Sequence, residues 1–191
     1  TRGPGSEVKP LATGNALPGG RVAFHDTDDL TLEPVAAQTI GLSGFTATMG
    51  IRSENGDVLV DAGGFLAINR AINTREGGTD TADVRLVADG DITQSTTGII
   101  TTDFLGVRQE SAAAGNVTLD DGNDVNTLAI DNTFTGGTVA FHDTDDLTIE
   151  TVAAQTIGLI GFTATMGIQS DNGDVLVDAG GFLAINRATN T

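Results

Sequence analysis

Cysteine, tryptophan and tyrosine are all absent from this 191-residue chain, and phenylalanine is its only aromatic residue. Without cysteine there is no disulfide framework, and an oxidising compartment is open to the chain without being required. The missing Trp and Tyr argue against a tandem β-sandwich, whose core Trp and corner Tyr have no counterpart here. Lysine occurs once, at Lys9, and 26 acids face 9 bases for a net charge of −17. A surface of that sign repels nucleic acid and anionic membrane, which removes both as partners. No apolar run approaches the ~18 residues of a membrane span. No leader segment is visible, and the chain starts at Thr1 and stops at Thr191 inside a repeat. It reads as a mature fragment or a window from something longer, with any targeting signal outside it. Hydrophobic residues make up only 39%. A compact globule of this length would be richer, whereas a narrow apolar column needs fewer.

What the chain does have is repetition. Residues 20–74 return as 137–191, shifted by 117 positions without a gap, and only 7 of the 55 positions differ. Fold reasoning therefore starts from the repeat. Within it runs a shorter frame, apolar at offsets 0, 2 and 8, beginning at Val22, Val58, Val84, Val117, Val139 and Val175. Four of the six also keep an apolar residue at offset 10; Gln94 and Thr127 are the exceptions. A spacing of two is strand periodicity, so each frame reads as two short strands joined by a turn. Successive frames start 36, 26, 33, 22 and 36 residues apart, with a further apolar anchor between them at Ile51, Ile72, Val107 and Ile130. Three short strands per unit, each lying over its counterpart, is the pattern of a parallel β-helix, a β-solenoid of about six coils. On this reading Val58, Val84 and Val117 stack in one file.

Residues 1–19 align weakly with 118–136 and hold three of the four prolines. They read either as a degenerate coil acting as cap or joint, since proline blunts a sheet edge, or as a plain flexible linker. Residues 20–191 form the solenoid.

The stretches NGDVLVDAGGFLAIN at Asn55–Asn69 and Asn172–Asn186, ADGDITQS at Ala88–Ser95 and GGTVAFHDTDDLTI at Gly136–Ile149 carry a resemblance. They resemble the repeat region of very large bacterial exoproteins of the filamentous-haemagglutinin type. The resemblance covers nearly all of the chain after residue 20. It implies a right-handed parallel β-helix in an extracellular or surface-anchored adhesin, with a rod-like, non-enzymatic role. The family's secretion domain is not in this sequence, and the 117-residue period is longer than the family's simple coil repeat.

The residues best placed for chemistry are turn carboxylates. Asp89 and Asp91, then Asp120, Asp121 and Asp124, then Asp143, Asp145 and Asp146 fall in the turns of consecutive frames. Stacked a strand spacing apart, they would raise one another's pKa or recruit a cation, and Ca²⁺ prefers such oxygen ligands. The plainer reading is that Asp favours turns and keeps the surface soluble. His25 and His142 sit at outward offsets and read as solvated turn residues. Met49 and Met166 read as core filler, and Phe65 and Phe182 as folding inward over the adjacent glycines, with a sugar-stacking face as the other option. A β-helix enzyme acting on acidic polysaccharide would need a base facing the carboxylates, and the arginines are single and scattered. The expectation is therefore a non-enzymatic segment of a surface adhesin or filament that extends and presents loops. Its partners would be flanking repeats or further copies stacked head to tail, with host or cell-surface glycans as possible ligands.

Overall fold

The computed structural model of the chain describes residues 10–40, 43–76, 81–110 and 115–190. Residues 1–9, half of the N-terminal stretch, and 77–80 lie outside them. Among the described residues every regular element is a strand. Seventeen strands join one sheet system, and three small two-stranded ladders stand apart. Within the large system the paired strands run parallel, in contrast to the antiparallel sheets of a sandwich.

Alternating Val, Ile, Leu and Phe set the strands, because a pleated strand sends every second side chain to one face. Two long files result. The first runs Val22, Val58, Val84, Leu105, Leu128, Ile149, Ile185. The second runs Leu30, Leu66, Ile92, Val117, Val139, Val175. A third, shorter file runs Thr13, Ile51, Ile72, Ile100. The chain visits the first two files alternately, and their inward side chains form one contiguous apolar cluster. Val58, Val60, Leu66, Ile68, Val84, Leu86 and Ile92 are fully buried there. Each such side chain contributes about 1.5–3 kcal/mol, against ~0–1 kcal/mol for a surface ion pair, so the files hold the fold.

Val58 and Val84 stack directly, but Val117 does not continue their file. It lies over Ile92 and beside Val139. The cause is the ten-residue strand Ile100–Gln109, which runs on without a turn. Its start pairs with Ile72–Asn73 and its remainder with Asp83–Ala88, so Leu105 and Val107 take the places on Val84 and Leu86. Val107 and Ile130 consequently sit with Leu86 and Ile168, not in line with Ile51 and Ile72. The second copy of the duplicated stretch is thereby shifted by one file. Val22 belongs to the first file, whereas its counterpart Val139 belongs to the second.

Between Leu32 and Ile51, and again between Ile149 and Ile168, the chain leaves the files as an antiparallel hairpin. Gln38–Ile40 pairs with Ser43–Phe45 in the first copy. In the second, Gln155–Ile157 pairs with Ile160–Phe162, and Thr151–Val152 with Thr165–Met166. Met49 and Met166 are 59% and 54% exposed, so neither fills the core. Met49 follows the first hairpin and Met166 lies in the outer ladder of the second, and both face solvent.

At the turn Ala62–Phe65 the glycines are required by close approach. A Cβ on Gly63 would strike the Thr27 carbonyl oxygen, and one on Gly64 the Asp29 carboxylate. Phe65 and Phe182 do not fold inward over these glycines but stand 42% and 83% exposed. The glycines already fill the space beneath with backbone.

Candidate functional site

The turn carboxylates fall into two separate groups. Ala62 and Ala88 are register partners, and Gly90 N donates to Gly64 O at 2.8 Å, so the Asp89–Asp91 turn stacks on Gly63–Phe65. Asp89 is exposed and lines an open depression of about 240 Å³ with His25, Thr27, Asp61, Gly63 and Glu110. The Asp91 carboxylate accepts from Asn116 N at 2.7 Å. The second group follows a different file. Asn123 pairs with Asp143, and Asp143 with Ala179. The carboxylates of Asp89 and Asp91 therefore do not stack on those of Asp120, Asp121 and Asp124.

Residues 120–124 are not a free turn but part of the long strand Val117–Thr135, with a register shift between Leu119 and Asn123. Asp120 is exposed there. Asp121 N donates to Gln94 Oε1 at 3.2 Å, and Asp124 is ion-paired with Arg75. Asp143 is fully buried. Its Oδ2 accepts from Val125 N at 2.9 Å and its Oδ1 from Asp145 N at 3.1 Å. Burial pushes its carboxyl up to about 7. Asp145 is exposed, and Asp146 accepts from Phe182 N at 2.7 Å. These acids bond mainly to backbone N–H groups of their own or a neighbouring turn. Among the described residues no three His, Asp or Glu side chains converge as a cation site would require.

The histidines point outward, each beside a carboxylate one strand along. His25 Nδ1 lies 2.7 Å from Asp61 Oδ2. His142 Nδ1 lies 3.1 Å from Asp178 Oδ2, without the alignment of a hydrogen bond.

Two polar constructions have no clear signal in the sequence. Asn123 sits fully buried at a corner, where its Nδ2 donates to Leu119 O at 3.0 Å and His142 O at 3.1 Å. Its Oδ1 accepts from Ile100 N at 3.0 Å and from Gln94 Nε2 at 2.6 Å. That network explains why position 94 breaks the apolar frame. The other centres on Arg85, which is 2% exposed on the outer side of the first file. Its guanidinium donates to Ala153 O at 3.1 Å, Gln155 Oε1 at 2.7 Å and Asp83 Oδ2 at 2.6 Å. Burial raises the Asp83 carboxyl, and the Arg85 charge opposes that rise. Arg85 is thus the polar anchor of the second hairpin, 70 residues away in sequence.

Comparison with family models, curated proteins and solved structures finds no match to this chain.

Proposed function

We propose that the chain winds as a right-handed parallel β-helix. It serves as a non-enzymatic structural segment of a bacterial surface filament or adhesin, outside the cell. The observation that carries this reading is the alternation of the two apolar files along the chain, parallel at each described step. Winding of this kind makes length: each added coil raises the stack by one strand spacing and buries its apolar residues on the coil before. Insertions of unequal length leave the column as hairpins and loops, available for presentation. The charges fit such a role better than catalysis on an acidic polymer. Arg21, Arg52, Arg75, Arg85, Arg108 and Arg187 each lie beside a carboxylate of the chain itself. An anionic substrate would have to compete for them.

Adding one further 117-residue period tests the reading. In small-angle scattering the length grows by about 20 Å at unchanged cross-section, from roughly four strand spacings of 4.8 Å. Growth in all dimensions would refute the rod.

A further inference from the structure

The hairpin between Ile149 and Ile168 lies along the coils instead of projecting from them. Its base ladder, Thr151–Val152 with Thr165–Met166, sits beside the strands Ile100–Gln109 and Val117–Thr135. Its far strand, Ile160–Phe162, reaches the strands Val22–Asp26 and Val58–Ala62. From Val22 to Leu128 the first file has five rungs, so the hairpin crosses roughly 19 Å of stack. Apolar side chains line the crossing. Val152 and Phe162 are buried, Ile157 and Ile160 half-buried, and they pack around Leu59, Val87 and Ala129. The Phe162 ring fills the space over Gly106, with the Arg85 guanidinium 5.7 Å from its centroid. Two polar ties run alongside: Arg85 donates to Ala153 O and Gln155 Oε1, and Gln155 Nε2 donates to Asp57 Oδ2 at 2.6 Å.

Among the described residues the strands of this hairpin pair only with each other. At its base, Gly167 N donates to Glu150 O at 3.1 Å. The coils beneath pair with one another on either side and use none of the hairpin's N–H or C=O groups in their ladders. The hairpin is therefore held on the rod through side chains. The coils are held on one another by backbone ladders as well as by their apolar files.

We propose that this hairpin is a strap: closed, it ties successive rungs together, and it opens as a unit while the coils stay wound. Opening gives up a seat of side chains, whereas unwinding gives up ladders and files too, so the strap is the first part to yield. Elements held by few contacts open below the cost of global unfolding. Off the rod a two-stranded ladder is marginal in water, so the open strap loses its amide protection and bares Leu59, Val87 and Ala129. The inference rests on the wound coils of the rod reading and adds a moving part to them.

The chain has no cysteine, so single introduced cysteines report the opening. Ala129 lies under the strap and Ala88 in the inner core, and both are fully buried. With a thiol reagent in dilute urea, Ala129→Cys reacts faster than Ala88→Cys by on the order of tenfold or more, with little urea dependence. Ala88→Cys waits for unwinding and speeds up steeply with urea. Adding Gln155→Ala speeds the Ala129→Cys reaction by about tenfold, the effect of losing bonds to two charged groups. Hydrogen exchange on the unmodified chain checks the same point without substitutions: amides of the two hairpin ladders exchange before those of Val60, Leu86 and Val107. One shared rate and urea slope for both cysteines, an unchanged rate with Gln155→Ala, or equal amide protection in hairpin and coils overturns the strap and leaves the rod intact. Isotropic growth on adding a period would instead strike at the rod.

Discussion

Asp143 is an acid whose value rises on folding, from 3.8 to about 7, because burial penalises its charged form. The sign follows from linkage: the folded state holds this proton more tightly than the unfolded state. Asp143 therefore favours folding most below about pH 4, and that contribution is lost as pH rises towards 7. Urea unfolding of wild type and Asp143→Asn between pH 4.5 and 8 isolates it from the other acids. Wild type loses stability relative to the variant as pH rises; parallel profiles would show that the carboxyl does not titrate in this window. Arg85 tests burial of the opposite charge. Replacing Arg85 with Ala leaves the half-buried Asp83 carboxylate without its partner and removes the hairpin's polar anchor. Because Asp83 keeps contact with water, the loss falls below the ~3 kcal/mol of a fully buried pair, and it is read as a lower urea midpoint.

At the scale of elements, the hairpins make a matched experiment inside one polypeptide. Phe162→Ala removes a ring from a dry cluster and is expected to cost about 3 kcal/mol. For a domain of this size that lowers the melting temperature by ~6–12 °C. Phe45→Ala touches a half-exposed ring and leaves the monomer's melting within about 2 °C, consistent with less than ~0.5 kcal/mol for surface changes. Residues 33–50 and 150–167 carry Val, Gln and Phe at matching places and differ only at Pro34/Thr151 and Ser43/Ile160, of which Ile160 packs against the cluster around Phe162. The strands themselves were legible, because a period of two at Val22, Val58 and Val84 can only present one apolar face. Which strand each would lie on was not. Leu105 and Val107 carry the same alternation as Val117 and Leu119, and only the uninterrupted strand Ile100–Gln109 decides which pair sits on Val84.

For the molecule as a whole, the charge of −17 predicts a response to salt. Screening relieves self-repulsion, so the melting temperature rises with sodium chloride, and calorimetry gives the slope. A chelator is expected to leave melting unchanged. Asp91, Asp124, Asp143 and Asp146 have protein partners, and the two turn groups lie on different files. A drop on adding chelator would restore a calcium role to the exposed Asp89, Asp120 and Asp145. The sequence by itself determined the all-β character, the repeat, the apolar alternation and the acidic surface, because these depend on side-chain type and on spacing along the chain. Tertiary structure alone decided the stacking partners, the separation of the turn carboxylates and the burial of Phe162 with exposure of Phe45. Each of those depends on where a later segment of chain comes to lie, and a local pattern repeated with nearly the same residues does not specify that.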